Sequence, residues 1–277
     1  MARSRRARKL KKKNHIRKHT RRVKHKGGAN APIPLFIISY NQYTYLKSMI
    51  EQLSKYPGMT LYVIDNKSTY PPLIEYLKQL ETEGNVKVLY QPENYGHSVY
   101  ERDEIIALGG DKYVVTDPDL LLNSNLPMNF IELLSNISDK YKASKVGFAL
   151  DIKGNINLSK KVKVKDTDAG IVGSYLWKGR EGMTIPEWEA QFWKEKIDDP
   201  DYELYRADID TTFALINKLY YNKGSRDNSI RVAGNFTAVH RPWLVDYEKE
   251  FKEGEYEFYL GNDNKSSTIK LWKNADK

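Results

Sequence analysis

The triplet Asp117-Pro118-Asp119 carries the clearest chemical signal in this 277-residue chain. It ends the apolar run KYVVTD (112 to 117), and proline pushes the residue before it into an extended conformation. Residues two apart on an extended segment face the same way, so the two carboxylates can converge on one hard cation, Mn²⁺ or Mg²⁺, through oxygen ligands. Such an ion keeps open positions that diphosphate oxygens fill. The competing assignment is an ordinary turn, since Asp and Pro are both turn residues. Asp65 ends a second apolar run, where an acid can accept hydrogen bonds from a ribose hydroxyl or a base N–H, or close an Asx-turn to Ser68. The run DIDTTFAL supplies Asp208 and Asp210, either as a general base for a hydroxyl or, for Asp210, as a helix N-cap. Outside the first 26 residues the histidines are His97 and His240, and His240 before Arg241-Pro242-Trp243 is a candidate metal or phosphate ligand.

The elements that must position these groups alternate regularly. LFIIS (35 to 39), TLYVID (60 to 65), VKVLY (86 to 90), KYVVTD (112 to 117) and KVGFALDI (145 to 152) are β-branched, aromatic and bounded by turn residues, which predicts strands. Between them, 44 to 56, 72 to 83, 98 to 108 and 128 to 141 have helical spacing. Leu46, Met49, Ile50 and Leu53 form a core-facing stripe, and Pro71-Pro72 sit where a helix tolerates proline. Repeated strand-helix alternation predicts right-handed crossovers and a parallel sheet with helices on both faces, whose ligands bind beyond the carboxyl ends of the strands. The residues there are polar: Tyr40-Asn41, Asp65 to Ser68, Asn94 to His97, and Asp117 to Asp119. Beyond 152 the pattern loosens into a Lys-rich stretch, IPEWEAQFW, YRADIDTTFALIN, VAGNFTAVHRPW and an acidic, aromatic tail, with no repeat and no second domain boundary. Trp188, Phe192 and Trp193 are spaced either for a sugar-binding wall or for core packing.

The formal net charge is +9, but residues 1 to 26 hold 14 Lys and Arg and no acid, leaving 31 of the 45 basic residues against all 36 acidic ones. Block charge without apolar periodicity predicts a disordered, solvated arm over 1 to 30, suited to nucleic acid, anionic lipid or another acidic surface, and one folded domain over 31 to 277. The absence of cysteine excludes disulfides, thiolate metal sites and a Cys nucleophile. The stretch Pro34 to Ser39 is too short for a signal-peptide core or a membrane span, which predicts a soluble, cytoplasmic protein. Twenty Tyr suit recognition of sugars.

In order, ISYNQYTYL, VIDNKSTYPPLIEYL, ENYGH, VTDPDLLL, EWEAQFW, DIDTTFAL and AVHRPW resemble the GT-A fold of nucleotide-sugar-dependent glycosyltransferases, close to glycosyltransferase family 2 and to a small group found partly in large DNA viruses. The resemblance spans residues 33 to 262. It implies an α/β, Rossmann-like, mostly parallel sheet flanked by helices, with an acceptor-side C-terminal half. It also implies a DxD-type motif at Asp117 and Asp119 that binds metal and donor diphosphate, with His240 completing the metal site. Ser39, Tyr40, Asn41 and Asp65 would hold the nucleoside, and Asn94 and Gly96 would lie beside the nucleotide. The implied reaction is inverting displacement of a nucleoside diphosphate by an acceptor hydroxyl on a glycan or glycoprotein. The family's acidic pair is not spelled Glu-Asp here, so Asp210, Asp208 and Glu189 remain alternatives for the base.

Three other classes are less compatible. A nucleotidyltransferase would place a Gly- and Lys/Arg-rich phosphate loop after the first strand, where ISYNQYTYL has no glycine, and neither a P-loop nor a dinucleotide fingerprint is present. D-x-D-x-T matches a phosphatase nucleophile motif that should end a first strand, yet only 65 residues follow Thr212. A nucleic-acid-binding protein would explain the arm, but it requires loss of function when residues 1 to 28 are removed, whereas an enzyme would retain donor turnover.

Overall fold

The computed structural model describes residues 31–158, 183–221 and 228–262. The expected basic arm, most of the Lys-rich stretch and the end of the tail lie outside the described residues. In chain order the elements are β1 (Ile33–Ser39), α1 (Tyr43–Leu53), β2 (Met59–Asp65), α2 (Pro71–Glu83), β3 (Val86–Tyr90), α3 (Asp103–Leu108), β4 (Lys112–Thr116), β5 (Leu120–Leu121), α4 (Phe130–Tyr141) and β6 (Lys145–Phe148). Then come α5 (Ile185–Glu189), β7 (Lys196–Ile197), β8 (Leu204–Arg206), β9 (Ala214–Asn217), β10 (Ser229–Val232), β11 (Val239–His240) and α6 (Glu255–Gly261).

β1, β2 and β4 run so apolar because both sheet faces are covered there. Leu35 and Ile37 of β1, Leu61 and Val63 of β2 and Val114 of β4 join the cluster that includes buried residues of α1, α2 and α4. Their neighbours Phe36, Ile38, Tyr62, Ile64, Tyr113 and Val115 join a second cluster with Val99, Tyr100 and Ile105. Each fully buried Leu or Ile contributes about 1.5–3 kcal/mol relative to exposure.

Among the described residues one sheet has the order β3-β2-β1-β4-β9-β6-β10-β8-β7, and β5 pairs with β11 in a small second sheet. β3, β2, β1 and β4 are mutually parallel, as expected. Beyond β4 the mostly parallel sheet becomes mixed, because β9 enters antiparallel between β4 and β6, and β8 is antiparallel to β10. These later strands are two to four residues long, too short to show a period.

Three element boundaries also differ. The helix expected over 98–108 is a 3₁₀ turn (Gly96–Glu101) followed by α3, separated by Arg102 in an extended conformation with its guanidinium 4.0 Å from the Tyr95 ring. Helix α1 ends at Leu53, ahead of a turn containing Gly58 at φ 85°. The strand expected over 145–152 stops at Phe148, and Leu150 makes only an isolated bridge to Ala238.

Helix α1 has no side-chain cap of its own. The fully buried Glu255 of α6 supplies one from far along the chain, accepting the Thr44 N–H at 2.8 Å and the Thr44 hydroxyl at 2.6 Å. Helix α2 opens on two prolines, as expected, and closes on Gly84 at φ 72°, the left-handed conformation that favours glycine.

Candidate active site

The site forms where β4 ends. The β4–β9 ladder pairs Val115 with Ala214, and its line continues when the Asp117 N–H donates to the Thr211 carbonyl at 2.8 Å. The Thr211 hydroxyl then donates to Asp117 Oδ2 at 2.8 Å. Past Pro118 the chain enters β5, which pairs Leu120 with His240 of β11, and the Arg241 N–H donates to the Asp119 carbonyl at 2.9 Å. His240 Nε2 therefore stands 3.5 Å from Asp119 Oδ2. Asp117, Asp119, Thr211 and His240 are thus brought together from three separated segments.

Their electrostatics are strained. Burial pushes the Asp117 carboxyl well above the usual range, and the negative charges of Asp119 and Asp210 push it further, against a hydrogen bond from Thr211. Asp119 Oδ1 and His240 Nδ1 are buried without hydrogen-bond partners. Among the described residues no group of three or more His, Asp and Glu side chains is close enough to hold a metal ion, so the expected set Asp117, Asp119 and His240 is not drawn together as a three-ligand site. The orphaned Asp119 oxygen and the mutual repulsion at Asp117 nevertheless fit a divalent cation whose remaining ligands come from elsewhere.

Of the three alternatives for the base, Asp210 is the most exposed to solvent. Its Oδ1 accepts the Thr212 N–H at 2.9 Å and the Thr212 hydroxyl at 2.7 Å. It caps no helix, because the residues after it lead into strand β9. Although the residue as a whole is exposed, the protein packed around its carboxyl desolvates it and raises its proton affinity, but the Thr212 hydrogen bonds and the positive Arg231 outweigh that and hold the carboxyl below its ordinary range. Glu189 closes α5, which starts with a Thr184–Glu187 capping box, and it is 2% exposed in an ion pair with Arg231. Burial, partly offset by Arg231, pushes Glu189 up to about 7. Asp208 is partly buried, and its backbone carbonyl accepts Arg231 Nε at 2.8 Å.

The strand ends expected to hold a nucleoside meet one another. Asn41, at φ 53°, accepts the Thr69 and Tyr70 N–H groups on Oδ1 at 2.7 and 3.0 Å, while its own N–H donates to the Ser68 hydroxyl at 3.0 Å. Asp65 is buried and takes the Asx-turn alternative, accepting the Ser68 N–H at 3.3 Å on both oxygens. Burial raises its carboxyl despite the Ser68 hydrogen bonds. Asn94 is exposed and accepts the Gly96 N–H at 2.9 Å, Gly96 adopts φ 69°, and Tyr40 is half-buried. The Ser39 hydroxyl and the Asn41 side-chain amide nitrogen are buried without partners. His97 is exposed, and Trp188, Phe192 and Trp193 are half-buried, neither core nor free surface.

Three residues hold the site in ways that the sequence assigned to none of them. Asn66 clamps the loop, accepting the Tyr95 N–H at 3.1 Å and donating to the Gly96 carbonyl at 2.8 Å. Thr211 anchors Asp117, and its signal was its place in the DTT run. Arg231 is the third, and a lone charge in the apolar run SIRVA was the available signal.

No family model and no curated protein matches the chain. Among solved structures, it is similar to TarS residues 1–349 of S. aureus, with 17% identity and a TM-score of 0.35 over 44% of this chain and 37% of that one. It is similar to the mannosyltransferase PcManGT of Pyrobaculum calidifontis in complex with GDP-Man and Mn²⁺, with 16% identity and a TM-score of 0.35 over 44% of this chain and 37% of that one. GalNAc-T7 with UDP, GalNAc and Mn²⁺ is similar at 14% identity and a TM-score of 0.47, over 76% of this chain and 43% of that one. The aligned region is thus less than half the length of each, and at these scores no residue role passes from them to this chain.

Proposed function

We propose that this chain is a glycosyltransferase that moves a sugar from a nucleoside diphosphate to an acceptor hydroxyl. The observation that carries this is the meeting of Asp117 with Thr211 and of Asp119 with His240 beyond the carboxyl end of β4, where burial and the charges of Asp119 and Asp210 raise the Asp117 carboxyl and Asp119 Oδ1 has no hydrogen-bond partner. Three acids in that position suit a donor that arrives as an anion with a cation. Asp117 and Asp119, with His240 beside Asp119, are the residues to hold Mn²⁺ or Mg²⁺. When bound there, the ion supplies neutralisation of the charge that develops on the departing diphosphate.

The chain's own groups do the rest. Ser39 and Asn41, with unpartnered polar atoms at the end of β1, line the place for the nucleoside, and Asp65, Tyr40, Asn94 and Gly96 shape its surroundings. Asp210, ionised and open to solvent with one oxygen engaged by Thr212, takes the acceptor's proton as its oxygen attacks the anomeric carbon, giving inversion. Glu189 is too deeply paired to reach an acceptor. A glycan or glycoprotein supplies the hydroxyl. No helix among the described residues is long and apolar enough to cross a membrane.

The test is hydrolysis of UDP- and GDP-sugars with Mn²⁺, together with calorimetry of UDP and GDP binding. At least one donor should turn over, and Asp119→Asn or excess chelator should abolish both binding and turnover while the melting temperature holds. Full activity under chelation refutes the metal requirement. Failure of every donor and both nucleotides refutes the transferase.

A further inference from the structure

We infer that Arg231 is a positioning residue that locks the acidic run Asp208–Asp210 to the aromatic segment Ile185–Trp193, so that both sides of an acceptor pocket move as one unit. The acceptor role rests on the glycosyl transfer proposed above, whereas the locking rests on contacts alone.

Residues 207–210 have no regular secondary structure, so the direction in which Asp210 points depends on what holds that backbone. Arg231 lies on β10 between Ile230 and Val232, both fully buried in the main apolar cluster, and strand alternation turns Arg231 to the other face. It is 4% exposed. Its Nε donates to the Asp208 carbonyl at 2.8 Å, its Nη1 donates to the Glu189 carboxylate at the end of α5, and its guanidinium lies 4.1 Å from the Phe192 ring. One side chain therefore engages the acidic run, the short helix and the aromatic segment. The planar fork makes these contacts together, which a lysine ammonium cannot. Two further hydrogen bonds, from the Ala207 N–H to the Ser229 carbonyl at 3.2 Å and from Lys145 Nζ to the Ile209 carbonyl at 3.2 Å, secure the same stretch.

A buried ion pair is weak support for stability as such, because well-packed neutral residues often serve as well, whereas removing one partner strands a buried charge. That asymmetry separates positioning from mere stabilisation. Arg231→Met should lower the melting temperature, and Glu189→Gln/Arg231→Met, which removes both charges, should recover most of it. In that double variant the amides of residues 207–213 should exchange hydrogen roughly tenfold faster or more than in the wild type. The kcat for donor hydrolysis should fall by roughly 10- to 100-fold with donor KM and UDP or GDP affinity within about twofold, as expected when a reacting group is misplaced. Arg231→Lys, which keeps the charge but not the fork, should retain stability and recover only part of the rate. A double variant of native stability that protects residues 207–213 and turns over like the wild type overturns the inference while leaving the transferase intact. If the wild type hydrolyses no donor and binds neither nucleotide, the transferase falls, and the exchange measurement still decides the lock: faster exchange upholds it and unchanged exchange overturns it.

Discussion

Replacing Asp210 by Asn separates a proton-accepting role from a structural one. Oδ1 accepts both the N–H and the hydroxyl of Thr212, and an Asn side chain presents a carbonyl oxygen to the same donors. Two hydrogen bonds lose their charge assistance, a cost of about 1 kcal/mol each, since bonds to charged groups contribute ~1.5–3 kcal/mol and neutral ones ~0.5–1.5 kcal/mol. In the opposite sense, one of three mutually repelling carboxylates disappears, relieving Asp117 and Asp119. The net change in stability should stay within about 2 kcal/mol, or roughly 4–8 °C in melting temperature for a domain of this size. Proton abstraction is lost outright. A positioned acid-base group contributes about 10²–10⁴-fold, so turnover at saturating donor should drop by at least 10²-fold while UDP and GDP affinity holds. Asp208→Asn should be milder, because it is the backbone carbonyl of Asp208, not its carboxylate, that Arg231 holds. Turnover within about threefold of wild type in Asp210→Asn, accompanied by a large loss of stability, would refute the assignment and make Asp210 a turn-forming residue only.

Burial raises Glu189 from its ordinary 4.5 to about 7, so its contribution to stability is complete below pH 4.5 and is lost as the pH climbs through 7. Denaturant midpoints between pH 4.5 and 8 should therefore show a decline on the order of 3 kcal/mol that is absent in Glu189→Gln, and identical pH profiles would rule it out. Glu255→Ala leaves the start of α1 uncapped with two part-buried donors at Thr44, and chemical denaturation should show a loss of about 2 kcal/mol, about half of it recovered in Glu255→Gln. At Gly147 a Cβ would lie 1.8 Å from the Phe213 carbonyl oxygen, so Gly147→Ala must displace β9. It should cost about 1–3 kcal/mol and lower turnover through the adjoining Thr211–Thr212, and a variant of native stability and rate would show that β9 yields freely.

Local pattern was enough for the first half of the fold. The runs around Phe36, Tyr62 and Val114 are apolar at consecutive positions, VKVLY around Val88 is β-branched and bounded by turn residues, and the stripe Leu46, Met49, Ile50 and Leu53 is set by spacing within one helix. Each signal depends on near neighbours alone, so β1 to β4 and the helices between them were legible before any contact was known. The polar residues that follow those strands were legible for the same reason, since a parallel sheet brings its carboxyl ends to one edge.

What each polar residue does was decided by tertiary structure. Asp65 could equally bind a ribose or close an Asx-turn to Ser68, and Asn41 carried a nucleoside role only through the family resemblance; both became acceptors for Ser68, Thr69 and Tyr70, because backbone N–H groups ahead of α2 need partners. Asp210 looked equally like a helix cap, a choice settled only when the chain after it paired with β4 and β6 as antiparallel β9. The meetings of Asp117 with Thr211, Asp119 with His240 and Glu189 with Arg231 span distant parts of the chain and leave no periodic trace. Residue types and spacing determined which strands form and which carboxylates lie at their ends. Sheet order determined what those carboxylates meet, because short strands find their places by burying both faces of a sheet that distant segments must complete.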